Sequence, residues 1–405
     1  MIGAAAEPER RSLAVRVSAL FAAIFFVTGN YLPYLPLWLA SVGLSAREIA
    51  SIGACPLFVR VLVMPAIAFA ADRSGDYRRF LILLCWSALA CQMLLSQLRG
   101  FWPIFAVSLV FALTWTSIMP LAETIAIAGM RSVRLDYGRV RLWGSISFIA
   151  AALAGGWLVG QVDPQALFWL LIAGSALLMV AACALPAPVA GVGGPARPSR
   201  VRLADLAQLM GSPSFVLFLL AAGATQAAHA AFYTFGTLHW SALGISTVVA
   251  GMLWTVGVAA EILVFAVSRA ALGRAGPTAI LALAAAVAIV RWCAMAFDPP
   301  VWLLFALQSL HGVTFAASHV GAIHFMARAV PEGQGGSAQA AYACFGSGIL
   351  LGGATLLAGP LYADWGARAY LAMAALAAVG LLAALALWQR GAAGARGCPQ
   401  RGDEA

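Results

Sequence analysis

Long apolar runs, broken by short polar punctuation, dominate this chain. A helix needs about 20 mostly apolar residues to cross the ~30 Å hydrocarbon core of a bilayer. By that length the pattern predicts about twelve spans, at roughly 14–40, 46–70, 79–97, 101–128, 140–160, 165–185, 213–239, 246–268, 277–297, 301–327, 336–360 and 366–389. Pro33, Pro36, Pro56, Pro65 and Pro120 fall inside spans and are expected to kink them. The stretch 186–212, rich in Pro, Gly and Arg, separates two groups of six spans and reads as a linker. The expected organisation is a six-helix half at 1–185, a cytoplasmic linker at 186–212, a second six-helix half at 213–389 and a disordered cytoplasmic tail at 390–405.

Composition agrees with the pattern. Hydrophobic residues make up 63% and charged residues 10%, with a mean hydropathy of +0.92; a soluble domain carries about 25% charged residues. The expected fold class is therefore all-α integral membrane. The net charge of +9 comes from arginine alone, since lysine is absent. With a cytoplasmic N-terminus, nineteen of the 24 arginines lie in cytoplasmic segments, three lie outside, and Arg60 and Arg291 lie within spans. That bias places both termini inside. The arginines form no interleaved basic face, so the expected partner is the lipid bilayer and not nucleic acid. Arg10, Arg11 and Arg16 precede the first span without a small-residue cleavage site, as in an uncleaved cytoplasmic start. The seven cysteines show neither CxxC nor metal-ligand spacing, so no metal site and no disulfide is expected.

Ionisable side chains inside a span are costly, and usually face a protein interior or a water-filled path. Three successive spans carry them: Glu261 in GVAAEILVFAVS, Arg291 in VAIVRWCAMA, and His311, His319 and His324 in the stretch 301–327. An acid, a base and a histidine pair suggest a proton-coupled device, with Glu261, Arg291, His311 and His319 as its residues. Glu261 lies somewhat inward of mid-span, where it can load and release protons or, as a neutral acid, hydrogen-bond between helices. Arg291 either snorkels toward the outer surface or pairs with Glu261. His311 and His319 are eight residues apart, about 80° around a regular helix, so both can face one cavity. A packing role is the alternative for each, and His324 near the inner end reads as structural.

Substrate contacts are expected from Arg60, Glu123, His229, Asn30, Gln226, Tyr31 and Trp254. Arg60 sits near the middle of its span, and its planar fork suits a carboxylate. An internal pair with Glu123 is the other reading. His229 is roughly level with Glu261, so an anion on Arg60 could bridge the halves near the midplane. Tyr31, Tyr34, Trp115, Phe232, Tyr233 and Trp254 offer aromatic faces that would suit a phenyl ring, although packing accounts for most. Gly156 with Gly160, and Gly348 with Gly352, have the GxxxG spacing of close helix contacts.

The loop AADRSGDYRRF after span two is echoed by AVSRAALGRAG after span eight, an internal repeat of the kind found in secondary transporters. Asp72, Arg73 and Gly75 with Arg78 and Arg79 resemble the signature loop of the major facilitator superfamily, which governs conformational exchange; Ala68 replaces its usual first glycine. The segments LDYGRVRLWGSISFI (135–149), QAAHAAFYTFG (226–236), AEILVFAVS (260–268), VRW (290–292) and LQSLHGVTFAASH (307–319) are similar to the phenylpropionate permease family, related to lactose permease-type symporters. The resemblance implies a major facilitator fold and proton-coupled uptake across a bacterial inner membrane. Glu261, Arg291 and His311 or His319 look like the Glu, Arg and His that lactose permease-type symporters carry in spans eight, nine and ten. Those symporters have a Glu one turn after the span-ten His, where this chain has Ala322 and Ile323 after His319.

The expected function is proton-coupled symport of a small organic substrate, best an aromatic or other monocarboxylic acid such as a phenylpropionate-like compound. A sugar or nucleoside symporter is the alternative, with Asn30, Gln226 and Gln308 as neutral hydrogen-bonders. No cofactor is expected beyond the proton gradient, and the partners are substrate, protons and bilayer, with the chain acting as a monomer. A membrane metalloenzyme is the competing class. The spacing H-x7-H-x4-H does not match HExxH and no carboxylate shares that helix, so no enzyme is expected.

Overall fold

The computed structural model describes residues 6–133, 136–186, 203–331 and 333–396; side chains at 6–9, 62, 64, 65, 68, 69, 72, 128, 130–133, 203, 269–274 and 391–396 lie outside the described set. Among the described residues every regular element is helical. The first six expected spans are α1 (Ala6–Ser41), α2 (Ala46–Ser74), α3 (Tyr77–Leu95), α4 (Phe101–Val133), α5 (Tyr137–Gln161) and α6 (Leu167–Ala184). After a short α7 (Leu203–Met210) come α8 (Pro213–Ala227), α9 (Ala230–Ala242), α10 (Thr247–Ala275), α11 (Pro277–Met295), α12 (Val301–Ser309), α13 (Ser318–Ala329), α14 (Gly335–Tyr342), α15 (Leu351–Trp365) and α16 (Ala369–Arg396). Ten stretches of the described chain are long and apolar enough to cross a membrane. One of them, Gly335–Arg390, is interrupted by a 3-10 turn over Gly366–Arg368.

Local chemistry ends these helices where the polar punctuation falls. Ser45 and Glu48 close a capping box at the start of α2, each satisfying a backbone N–H that the helix leaves without a partner. Gly75 ends α2 in the left-handed conformation, φ 69°, which costs glycine nothing. Asp76, Asp136 and Asp163 cap the next starts through their side chains.

Several features differ from the expected pattern. The seventh span is broken between α8 and α9. The tenth and eleventh contain π-helical segments, Gly312–Ala317 and Ala343–Leu350. Within the expected linker, α7 buries Leu209 in a core with Phe215 and Phe218, while Ser337 meets Asp205. Helix α16 runs on to Arg396, into the expected tail.

Contacts divide the chain into two compact units. The first takes its described residues from Met1–Pro198, Ala231–Val258 and Thr355–Gly366. In it α1 packs on α5 and α6 around Val17, Leu20, Phe21 and Ile24. Glycines set the closest approaches. A side chain at Gly156 would collide with the Thr247 carbonyl and come within 2.7 Å of the Tyr34 hydroxyl, and one at Gly160 would lie 2.5 Å from Thr247 Oγ1. The Thr247 hydroxyl donates to the Gly156 carbonyl at 2.6 Å, so this GxxxG pair marks a close contact. The second unit takes its described residues from Ser199–Ala230, Ala259–Ala354 and Ala367–Ala405. There α16 packs against α8 and α11, and Phe218 stacks on Phe325 at 4.5 Å. At the π segment Ala343–Leu350 a Cβ on Gly346 would lie 3.2 Å from the Gly223 Cα, and one on Gly223 would lie 2.9 Å from Leu350.

Candidate functional site

In the second unit, α10, α11 and the α12–π junction bring Glu261, Arg291 and His311 together. His311 Nε2 lies 3.1 Å from Glu261 Oε1. On the other edge of the ring, Arg291 Nη1 is 3.0 Å from His311 Nδ1 and 3.1 Å from Thr314 Oγ1, and Nη2 donates to Gln308 Oε1. Arg291 is fully buried, so it does not snorkel outward. Three neutral acceptors offset the desolvation of its guanidinium, which also lies over the Trp292 ring at 4.4 Å.

Donor and acceptor rules assign the His311 tautomer. A guanidinium can only donate, so the Nδ1 that faces it accepts. The ring proton then sits on Nε2 and is donated to the Glu261 carboxylate. In this arrangement the imidazole is neutral, and a second ring proton would oppose an Arg291 N–H.

The backbone explains why these groups converge. Gly312 lets the π segment lie on α10, for its missing Cβ would sit 2.5 Å from the Ala260 carbonyl oxygen, next to Glu261. The buried ring of His229 stands between α8 and α9, with Nδ1 3.2 Å from the Thr225 and Gln226 carbonyls and Nε2 3.0 Å from Thr314 Oγ1. Gln226 donates from Nε2 to the Phe315 carbonyl at 3.2 Å, inside the π segment. Two interrupted helices are thus stitched to each other where the charged groups meet. His319, in α13, makes none of the described hydrogen bonds of this network.

The remaining candidates of the first unit divide between packing and polar roles. Tyr31 stacks on Phe111 at 5.1 Å. Buried Asn30 donates back to the Phe26 carbonyl at 2.9 Å and points its amide oxygen into the slot that Gly155 leaves on α5. Trp254 stacks on Phe232 at 4.7 Å and satisfies its indole N–H on Thr237. Arg60 is half-buried at the middle of α2. Half-buried Glu123 of α4 is hydrogen-bonded to Tyr137 and shares an electrostatic contact with Arg141. Arg141 lies 4.1 Å over the Phe25 ring. In the sequence it reads as one of the cytoplasmic arginines, because it sits at the inner end of its span.

In the signature loop, the side chain of Asp72 lies outside the described residues. Arg73 is exposed, and the Arg79 backbone N–H donates to Asp76 Oδ1 at 2.9 Å. Arg78 donates to the Cys183 carbonyl at 2.6 Å, at the C-terminal end of α6, where a cation complements the helix dipole. Gly75 and Gly276, in the two loops the sequence pairs, both adopt positive φ. Among the described residues no group of three or more His, Cys, Asp or Glu could hold a metal.

The model described as the MFS_1 like family matches residues 14–372. A protein named probable 3-phenylpropionic acid transporter, from Escherichia coli (strain K12), is 30% identical over 364 residues, 87% of this chain and 92% of its own. The maltose permease of Geobacillus stearothermophilus is 29% identical over 373 residues, 91% of this chain and 92% of its own. The crystal structure of the nucleoside transporter NupG has a TM-score of 0.81 at 17% identity, covering 93% of this chain and 99% of that one, a likeness of fold alone.

Proposed function

Because the chain belongs to the MFS_1-like family, within the major facilitator superfamily of transporters, we propose that it is a proton symporter for an aromatic or other small monocarboxylic acid, with a phenylpropionate-like compound as the best representative. The observation that carries this reading is the chain Glu261–His311–Arg291, in which half-buried Glu261 contacts buried His311, and His311 contacts buried Arg291. With Glu261 ionised and Arg291 charged, the pair is neutral, and a proton on Glu261 leaves it one charge positive. A monocarboxylate restores neutrality, so proton and anion cross together without an uncompensated charge. The proton loads on Glu261, since His311 presents its one bare nitrogen to a guanidinium. Arg60 and Glu123 are the substrate-contact candidates of the first unit, and the 30% identical relative named for 3-phenylpropionic acid supports an aromatic acid.

A sugar or nucleoside symporter is the second reading, its sugar arm favoured by the maltose permease likeness. It needs neutral hydrogen-bonders, but Asn30 and Gln226 each spend a side-chain donor on backbone carbonyls, and Gln308 accepts from Arg291.

This reading implies a bacterial inner membrane protein, and the arginine bias favours cytoplasmic termini. A cysteine at Ala207 should then resist impermeant thiol reagents in intact cells, and one at Gln161 should react; the reverse pattern inverts the topology. For the function, purified protein in lipid vesicles is given radiolabelled 3-phenylpropionate, maltose or uridine, with and without an imposed pH gradient. Accumulation of the acid that collapses with a protonophore is expected. Gradient-driven accumulation of maltose or uridine in its place would establish the second reading.

A further inference from the structure

We infer that Thr314 is a positioning residue of the proton-coupling cluster, its hydroxyl holding the Arg291 guanidinium in place while His229 orients that hydroxyl. The inference rests on the symport reading only for its meaning in transport; the arrangement itself stands on hydrogen-bond chemistry.

The chain of constraints begins at the break after α8. In the turn after α8 the His229 N–H bonds the Gln226 carbonyl at 3.1 Å, three residues back. The His229 ring turns to that carbonyl and to the Thr225 carbonyl, with Nδ1 3.2 Å from each. Carbonyl oxygens only accept, so Nδ1 carries the ring proton and Nε2 is the bare nitrogen. Thr314 Oγ1 lies 3.0 Å from Nε2, nearer than the 3.3 Å to the carbonyl of its own His311. The hydroxyl proton therefore points at His229, and the oxygen lone pairs are left for Arg291 Nη1 at 3.1 Å.

The place of Thr314 in the chain makes this orientation consequential. It lies fully buried inside the π segment, three residues after His311. That segment is seated on α10 beside Glu261 by the Gly312–Ala260 approach. The titratable and charged groups gathered on these packed elements are Glu261 of α10, Arg291 of α11, His311 beside the π segment and His229 after α8. Removing the hydroxyl takes one of the acceptors from a buried guanidinium. The carboxylate of Glu261 is the anion of the cluster, and a guanidinium turned more toward it stabilises its ionised form.

The test compares wild type, Thr314→Val and Thr314→Ser in lipid vesicles by infrared difference titration, following the protonated-carboxyl band that Glu261→Gln removes. Valine keeps the shape without the hydroxyl, and serine keeps the hydroxyl without the methyl. The band midpoint is expected to fall by about one pH unit in Thr314→Val, a tenfold change in proton affinity, and to stay at the wild-type value in Thr314→Ser. Nitrogen-15 spectra of wild type should show His229 protonated at Nδ1 and bare at Nε2. An unchanged midpoint in Thr314→Val overturns the inference, as does an equal shift in Thr314→Ser, the opposite tautomer, or a wild type with no titrating band. Should the valine variant not fold, Thr314→Ala enters the same comparison. A wild type that shows the expected titrations but never concentrates 3-phenylpropionate against its gradient would remove the symport reading and leave the positioning role standing.

Discussion

Glu261 Oε1 takes its contact at 3.1 Å from His311 Nε2, the edge of the ring that faces away from Arg291. The imidazole meets the acid at one edge and the base at the other, so a change of charge at either is felt at His311. Each group comes from a different helix, and each has a distinct consequence when removed.

Glu261→Gln keeps the size of the side chain and a carbonyl acceptor for the His311 N–H, but it cannot change its protonation. We expect accumulation against a gradient to be abolished. Exchange of labelled for unlabelled 3-phenylpropionate at equal concentrations should persist, because it needs binding and isomerisation but no net proton release. A glutamine variant that still concentrates the acid would take Glu261 out of the coupling mechanism.

Arg291→Gln leaves the half-buried Glu261 carboxylate and the buried His311 imidazole without their cation. Breaking one side of a buried charge pair costs about 3–5 kcal/mol, so the variant should melt well below wild type in detergent. The double variant Arg291→Gln with Glu261→Gln should recover part of that loss, since no lone charge remains. A coupling of about 0.5–3 kcal/mol in the double-mutant cycle would be usual for contacting residues. Strict additivity would show that the two groups do not sense each other.

Gly156→Ala places a methyl group against the Thr247 carbonyl and the Tyr34 hydroxyl. Overpacking of this kind costs about 1–3 kcal/mol. Gly353→Ala, where nothing lies within 4 Å of the new methyl, is the control. Thermal unfolding should fall for the first and not for the second; equal melting temperatures would mean that the α5 contact yields without strain.

Arg60→Lys preserves charge but loses the planar fork. If Arg60 reads the carboxylate of the substrate, affinity for 3-phenylpropionate should drop roughly ten- to a hundredfold, given roughly 1.5–3 kcal/mol for a charged hydrogen bond. The corresponding amide should bind weakly to wild type and be nearly indifferent to the change. Equal losses for acid and amide, measured by isothermal calorimetry, would assign Arg60 to holding helices together.

Class, approximate spans and the three polar intrusions were legible in the sequence because they depend on properties carried along the chain. Apolar length specifies a membrane helix, and an ionisable residue inside one stands out wherever its side chain points. Glu261, Arg291 and His311 stand out in the sequence in this way. Which groups touch depends on angular register and on acceptors supplied by other helices, and the tertiary structure decided both. Arg291 could be read as snorkelling or inward-facing until Gln308, Thr314 and His311 were seen to surround its guanidinium. At 3.6 residues per turn His311 and His319 lie about 80° apart and read as equivalent. The segment Gly312–Ala317 between them is π-helical, and its i→i+5 bonding changes that rotation, so His311 alone of the two joins the network. The break at His229 was equally hidden, since an apolar run carries no mark of where its backbone hydrogen bonds fail, and a buried ring replaces them only once another helix holds it there.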